Sequence, residues 1–272
     1  MRRGLLPSRS EAAQAIAEGL VTIDGAPALK AATQVAAGQN LVVRRPPRVY
    51  VSRGGDKLAH ALVRFGVRPD GQRCLDAGVS TGGFTDVLLR HGAAHVLACD
   101  VGYGQVHERI RSDPRVTLLE RTNVRELTRE QVPPPPPTLV VADLSFIALA
   151  VVLPVLRAVA ADTSEAIVLV KPQFEAGRAW VMRGGVVRDP AGWHEALTRV
   201  ADAASGVGWS PAGVTASPLV GPAGNVEFLL HLQVKPRSDD EVATWLEAAI
   251  DEGRQRPQTP DAPTNCGSDA DR

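Results

Sequence analysis

The chain has 272 residues, of which 44% are hydrophobic and 4% aromatic, and its formal net charge is zero. This length is enough for one large domain together with a small one, and no run approaches the roughly 18 apolar residues of a membrane-spanning helix. Three cysteines without metal-ligand spacing, and no recognisable secretory signal, favour a cytoplasmic protein with neither a metal site nor a membrane anchor.

The charge is unevenly distributed, because residues 1–57 carry nine Lys and Arg against four Asp and Glu. Within residues 1–45, a Ser-x-x-Glu capping box opens a short helix, and strands are predicted at 20–23 and 41–43. An excess of basic residues on a small module favours contact with a polyanion, although a solvated basic face would have the same composition.

This first segment resembles the RNA-binding domain that is named after small-subunit ribosomal protein four. The likeness rests on the residues R-R-G-L-x-x-S-R-x-x-A-x-x-x-I-x-x-G-x-V-x-I-D-G. In that family a helix precedes the motif, whereas this chain begins at it, so either the domain lacks its first helix or the coding sequence starts upstream. The resemblance implies that basic side chains of this segment and of the following linker bind RNA, namely Arg2, Arg3, Arg9, Lys30, Arg44, Arg45 and Arg53.

Residues 46–53 are rich in proline and arginine and are interpreted as a stiff basic linker to a second domain, residues 54–252. Apolar residues recur with helical spacing at the start of that domain, which predicts a helix. Lys57 stands in its first turn, where a cation opposes the helix dipole, so it is either a surface lysine or a functional one. The tail, residues 253–272, is rich in Pro, Asp, Thr and Ser and is predicted to be disordered.

The stretch C-L-D-A-G-V-S-T-G-G-F-T predicts a strand, a glycine-rich turn and the start of a helix. Its spacing is not that of a dinucleotide site, and no G-K-[ST] follows for a Walker phosphate loop. The turn is therefore expected to hold a nucleoside cofactor such as S-adenosylmethionine, and a tight turn without a ligand is the alternative. The candidate cofactor residues in it are Asp76, Gly78, Ser80, Thr81, Gly82, Gly83, Phe84 and Thr85.

From residue 73 onwards strands and helices alternate, which predicts a doubly wound, mostly parallel, seven-stranded α/β sheet of the Rossmann-like type. Strands are expected at 74–76, 95–100, 116–120, 138–143, 166–171, 212–217 and 226–234, with the last pair antiparallel. Helices are expected at 83–91, 105–112, 148–160, 190–205 and 239–252.

Polar residues end the predicted strands at the edge where ligands of such sheets bind. Asp100, followed by Val101, closes the second strand, where a carboxylate can accept hydrogen bonds from ribose hydroxyls. Asn123 follows the third strand, where an adenine edge would lie. A single Asp at a strand end is often a helix cap. Here Asp76, Asp100 and Asp143 each end a predicted strand, and the glycine turn follows the first of them. All of these are candidate cofactor residues.

Four charged residues stand in apolar surroundings of the second domain, and they are Lys57, Asp143, Lys171 and Glu227. Buried charges need partners, so one interpretation is an ion-pair network without catalysis. Such a set also suits methyl transfer to a hydroxyl, because the hydroxyl must lose its proton as it attacks. Our hypothesis makes neutral Lys171 the base and Lys57 a group that polarises the same oxygen. The two carboxylates are expected to orient the lysines or the substrate hydroxyl.

Nine short motifs are similar, in order, to those of the TlyA family of rRNA methyltransferases, historically called hemolysins. They are S-R-G-G-D-K-L, L-D-A-G-x-S-T-G-G-F-T, D-V-G-Y-G-Q, D-P-R-V, E-R-T-N, D-L-S-F-I, L-V-K-P-Q-F-E, G-G-V-V-R-D-P and S-P-x-x-G-P-x-G-N-V-E. The second domain also resembles the FtsJ/RrmJ 2′-O-methyltransferases, which use the same Lys-Asp-Lys-Glu arrangement.

The resemblance implies methylation of cytidine ribose 2′-hydroxyls in small- or large-subunit rRNA, with S-adenosylmethionine as methyl donor. Ribosomal subunits are then the expected partners, and a monomer is the expected state. Two alternatives remain open at this point. One is a non-catalytic module that binds RNA or the ribosome, and the other is a membrane-active protein of the kind the name hemolysin suggests.

Overall fold

The computed structural model describes residues 3, 5–6, 12–13, 15–16, 19–44 and 49–256. The chain divides into two compact units, Met1–Val49 and Tyr50–Arg272. Arg2, Arg9 and Arg45, three of the predicted RNA-binding residues, lie outside the described residues, as do the capping box and most of the predicted tail.

The amino-terminal unit is built on a three-stranded antiparallel sheet. β1 (Val21–Ile23) lies between β2 (Ala26–Pro27) and β3 (Leu41–Val43). Asp24 and Gly25 form the turn between β1 and β2 at φ 51° and 85°, a left-handed conformation that Asp tolerates and Gly adopts freely. The buried core of this unit consists of Ala15, Val21 and Ala28.

A seven-stranded sheet forms the centre of the second unit, with strand order β6-β5-β4-β7-β8-β10-β9. The strands are β4 (Arg73–Ala77), β5 (His95–Cys99), β6 (Val116–Leu119), β7 (Leu139–Ala142), β8 (Glu165–Val170), β9 (Ser210–Ala216) and β10 (Phe228–Gln233). The first five in this order are parallel, and β10 is antiparallel to both of its neighbours. The predicted fold class, including the antiparallel last pair, is confirmed.

Helices cover both faces of the large sheet, as the buried apolar strands require. They are α1 (Arg53–Phe65), α2 (Gly83–Arg90), α3 (Glu108–Arg111), α4 (Leu149–Val159), α5 (Pro172–Glu175), α6 (Pro190–Ser205) and α7 (Asp239–Arg254). One apolar core joins the sheet to α1, α2 and α3, and another joins it to α4, α6 and α7. The strand order reverses at β4, because β5 and β6 are added on one side of it and β7 and β8 on the other, so the topological switch point lies where β4 and β7 end.

One predicted helix is much shorter than expected. The sequence predicted a helix over 105–112, whereas α3 covers only Glu108–Arg111. The helix begins only after His107, whose N–H donates to Thr81 O at 3.1 Å and whose Nδ1 caps the helix by accepting from Arg109 N at 3.2 Å.

Candidate active site

The glycine turn after β4 is shaped by a close approach between two backbones. Gly78 has φ 91°, and a Cβ built on it would lie 2.6 Å from the carbonyl oxygen of Asp143 at the end of β7. Because β4 and β7 flank the switch point, only glycine allows the two strand ends to come this near. The turn therefore forms the floor of the crevice where ligands of this fold bind.

Asp76 supports the turn from inside the protein. Its side chain is fully buried, Thr85 Oγ1 donates a hydrogen bond to Oδ2 at 2.6 Å, and Oδ1 has no protein partner. Burial raises the pKa of this carboxyl to about 7, and the charges of Asp143 and Asp100 add to the increase. An unpartnered buried oxygen behind the turn is a group that a bound ligand or water could satisfy.

The turn residues from 81 to 85 do not line the crevice itself. Phe84 and Thr85 are buried, at 3% and 0% exposure. A Cβ on Gly83 would meet Ser52 Oγ at 2.2 Å and Gly55 N at 2.9 Å, so this glycine allows α2 to pack against α1. Direct cofactor contact by Thr81, Gly82, Gly83, Phe84 and Thr85 stays a prediction.

A cavity of about 510 Å³ opens above the turn, between the ends of β4, β5 and β7. Asp100 is fixed in its wall, because Ser80 N donates to one carboxylate oxygen at 2.8 Å and Gly102 N to the other at 2.7 Å. Asn123 also lines the cavity, and its Oδ1 caps the turn that follows by accepting from Arg125 N at 3.1 Å. The lining is formed by Gly78, Ser80, Asp100, Val101, Gln105, Asn123, Val124, Arg125, Asp143, Leu144, Ser145, Phe146, Ile147 and Val152.

The residues of this cavity fit S-adenosylmethionine. Asp100 can accept hydrogen bonds from ribose hydroxyls, since each of its oxygens keeps a free lone pair after binding one backbone N–H. Apolar side chains such as Val101 and Ile147 offer surface to an adenine ring. No pyrophosphate cradle is needed for this molecule, which agrees with the glycine spacing of the turn.

The first ion pair of the site joins residues that are 170 positions apart in the chain. Lys57, in the first turns of α1, places Nζ 2.5 Å from Oε2 of Glu227, and the two side chains are 10% and 2% exposed. Glu227 directly precedes β10, and Gly221 leaves room for its carboxylate, since a Cβ there would lie 2.8 Å from Oε1. The buried pair explains why a lysine is accommodated at the start of α1.

The second ion pair reaches the cavity. Lys171, directly after β8, places Nζ 2.6 Å from Oδ1 of Asp143 and donates to Ser145 Oγ at 2.8 Å. Asp143 and Ser145 both line the cavity. Lys171 therefore stands between the protein interior and the crevice.

Strand register places the two pairs beside each other at one edge of the sheet. Val170, the last residue of β8, pairs with Phe228, the first residue of β10. Lys171 and Glu227 are the next residues outward on these antiparallel strands, so they lie at the same end of neighbouring strands. The predicted set of Lys57, Asp143, Lys171 and Glu227 is thus gathered at the carboxyl edge of the parallel strands.

Ser145, which lines the cavity, and Glu175, which does not line it, were not predicted as site residues. Ser145 contacts Lys171, and Glu175 accepts a hydrogen bond from Leu149 N at 2.9 Å. Burial raises the pKa of the Glu175 carboxyl to about 7, against the lowering effect of that hydrogen bond. Both residues stand within the quoted motifs D-L-S-F-I and L-V-K-P-Q-F-E. A charged residue so close to Lys171 was the signal that could have pointed to Glu175.

The described basic residues predicted to bind RNA have different surroundings. Arg3 uses its guanidinium within its own unit, donating to Gln39 O at 2.6 Å and Ala36 O at 2.7 Å. Arg53 donates to Val220 O at 2.9 Å. Lys30 and Arg44 are exposed.

Among the described helices, none is long and apolar enough to cross a membrane.

Comparison with known proteins identifies both units. The FtsJ-like methyltransferase family model matches residues 50–234, and the S4 domain model matches residues 2–41. The 16S/23S rRNA (cytidine-2′-O)-methyltransferase TlyA of Mycobacterium tuberculosis is 53% identical over 86% of this chain and 88% of its own. Hemolysin A of Brachyspira hyodysenteriae is 36% identical over 84% of this chain and 95% of its own. The solved structure of a candidate hemolysin from Streptococcus thermophilus has a TM-score of 0.77 at 35% identity, covering 93% of this chain and 92% of its own.

Proposed function

Because this chain belongs to the TlyA family and carries an FtsJ-like methyltransferase domain, we propose that it methylates the ribose 2′-hydroxyl of cytidine in rRNA, with S-adenosylmethionine as donor. The observation that carries this proposal is the Lys171–Asp143 pair, because Asp143 belongs both to the charged set and to the cavity wall. A hydroxyl-activating group and a nucleoside-binding crevice therefore share one residue.

The cofactor, when bound, supplies a methyl group on a positively charged sulfur. The protein itself has two tasks. It holds the nucleoside part of the cofactor, and it removes the proton of the attacking hydroxyl. Asp100 and the apolar wall of the cavity support the first task. Lys171 in its neutral form is suited to the second task, because Asp143 holds its Nζ at the cavity edge.

Lys57 is suited to stabilise the negative charge that develops on the ribose oxygen. Its own charge is balanced by Glu227, so the pair can stay buried before the substrate arrives. After transfer the proton of the hydroxyl resides on Lys171, and solvent at the cavity mouth can accept it. The side chains that remove the proton and stabilise the charge therefore lie at one edge of the sheet.

The S4 domain is proposed to dock the enzyme on folded rRNA through basic side chains such as Lys30 and Arg44. Ribosomal subunits in the cytoplasm are the proposed substrates, and a monomer is the proposed active state. The relative from Mycobacterium tuberculosis is named for action on both 16S and 23S rRNA, which supports testing both subunits.

Incubation with methyl-labelled S-adenosylmethionine and separated ribosomal subunits, or naked rRNA, tests the proposal. We expect label in the RNA that resists alkaline hydrolysis between adjacent nucleotides, since a 2′-O-methyl group blocks cleavage there. No label on any RNA would favour a non-catalytic RNA-binding module. Release of dye from lipid vesicles without RNA labelling would instead favour the activity that the name hemolysin suggests.

The matched variant is Lys171→Ala. We expect it to reduce methyl transfer by about 100-fold or more, because a general base contributes 10²–10⁴ in rate. Binding of S-adenosylmethionine, measured by calorimetry, should be retained, since the cavity is lined by other residues. A Lys171→Ala protein with wild-type turnover would remove Lys171 from the role of base.

A further inference from the structure

Two oxygen atoms contact the amino group of Lys171, one through an ion pair and one through a hydrogen bond. Nζ lies 2.6 Å from Asp143 Oδ1 and 2.8 Å from Ser145 Oγ. Among the described residues, Lys57 Nζ has one such oxygen contact, with Glu227 Oε2. The two lysines of the site are therefore restrained to different degrees, and the difference is the hydroxyl of Ser145.

This difference matters because of the valence of an amine. A neutral lysine has two N–H bonds and one lone pair on Nζ, and only the lone pair can take a proton. A single acceptor leaves the amino group free to rotate about the Cε–Nζ bond, so the lone pair has no fixed direction. Oxygen contacts on two sides restrict that rotation, and the lone pair then faces the side that neither oxygen occupies.

Ser145 is itself well placed to impose that direction. It stands in the loop between β7 and α4, with its side chain exposed at the cavity wall. The loop is fixed at both ends, because Asp143 N donates to Ala77 O at 3.1 Å and Leu149 N donates to Glu175 Oε1 at 2.9 Å. A hydroxyl anchored in this way can hold a flexible lysine side chain in one rotamer.

We propose that Ser145 is a positioning residue for methyl transfer, whose hydroxyl, together with Asp143, aims the lone pair of neutral Lys171 at the substrate hydroxyl. This inference rests on the proposed function, in which Lys171 is the base. The proton moves from the ribose hydroxyl to Nζ of Lys171, and Ser145 keeps its own proton throughout. Ser145 therefore acts through Lys171 and forms no bond to the methyl group.

The test compares Ser145→Ala, Ser145→Thr and, as a matched control, Ser112→Ala in the full-length protein. Ser112 is an exposed serine directly after α3, and its hydroxyl donates to the backbone carbonyl of Glu108 at 2.9 Å. For Ser145→Ala we expect kcat to fall about tenfold or more, because small losses of alignment at a reacting group are costly. KM for S-adenosylmethionine, its calorimetric affinity and the melting temperature should stay at wild-type values. Ser145→Thr, which keeps the hydroxyl, should recover most of the rate.

A double-mutant cycle separates positioning of Lys171 from any other role of the serine. If Ser145 acts through Lys171, then Ser145→Ala lowers the rate of the wild type but leaves the residual rate of Lys171→Ala unchanged. An equal loss in both backgrounds would overturn the proposal, and so would a Ser145→Ala protein with wild-type kcat. Wild-type protein and Ser112→Ala must both label rRNA; absence of label in both would count against the proposed function itself.

Discussion

Asp76 is the most unusual titrating group of the second unit, because its carboxyl has no exposure to solvent and one oxygen without a partner. Burial raises its pKa from 3.8 to about 7, while the hydrogen bond from Thr85 opposes this change. Between about pH 4 and pH 7, the carboxyl of Asp76 is therefore protonated in the folded protein and ionised in the unfolded chain. Within that window this residue makes the protein less stable as the pH rises.

Asp76→Asn should remove this dependence, because an amide does not ionise. We expect the stability of the variant relative to the wild type to increase by about 2–4 kcal/mol between pH 4.5 and pH 8. Urea unfolding of both proteins across this range measures the difference, and subtraction cancels the contribution of Glu175, whose pKa is also raised. A difference that stays constant with pH would show that the pKa of Asp76 in the folded protein is not raised above that of the unfolded chain.

At the level of secondary structure, the contact between α1 and α2 controls where Lys57 lies. Gly83 begins α2, and a Cβ on it would come within 2.9 Å of the backbone nitrogen of Gly55 in α1. The backbone cannot move aside as a long side chain could, so any larger residue must push the helices apart. Because Lys57 follows on the same helix, such a shift would also disturb its pairing with Glu227.

We expect Gly83→Ala to destabilise the protein by about 1–3 kcal/mol and to lower methyl transfer, since overpacking strains a core by this amount. Gly38→Ala is the matched control, because a Cβ on Gly38 meets nothing within 4 Å and Gly38 lacks a positive φ. Thermal unfolding and the labelling assay together measure the two effects. Equal stability of the two variants would mean that α1 and α2 can separate without cost.

At the scale of the whole molecule, the proposed function assigns rRNA binding to the S4 domain and methyl transfer to the FtsJ-like domain. Association with rRNA through Lys and Arg releases counterions, so affinity should fall steeply as salt increases. Lys30 is exposed in the amino-terminal unit, whereas Arg254 on α7 is paired with Asp251 at 2.8 Å.

Lys30→Ala should weaken rRNA binding and reduce the slope of log affinity against log salt by roughly one. Arg254→Ala should leave the slope unchanged, because Arg254 lies on α7, outside the S4 domain that is proposed to bind rRNA. Titration of labelled rRNA at several KCl concentrations measures both slopes. An unchanged slope for Lys30→Ala would show that this lysine makes no phosphate contact.

The sequence was sufficient to predict the sheet, because apolar runs alternating with helical periodicity are a strong local signal. It also supplied the members of the charged set, since charges at the ends of apolar runs stand out. It did not reveal which lysine pairs with which carboxylate, because the pairing of Lys57 with Glu227 depends on β10 lying beside β8. The helix predicted over 105–112 was too long, because His107 binds Thr81 O through its backbone and caps α3 at that point.

The position of β10 between β8 and β9 has a consequence for synthesis of the protein. The ribosome delivers β9 before β10, yet β9 has no place in the sheet until β10 has been inserted. Until that moment the apolar edge of β8 is an unpaired template in a nascent chain, and such edges are prone to aggregation. Glu227 directly precedes β10. A chain that is arrested before β10 therefore leaves the edge of β8 unpaired and leaves Lys57 without its partner Glu227. Completion of the sheet and completion of the proposed catalytic centre therefore take place in the same step of synthesis.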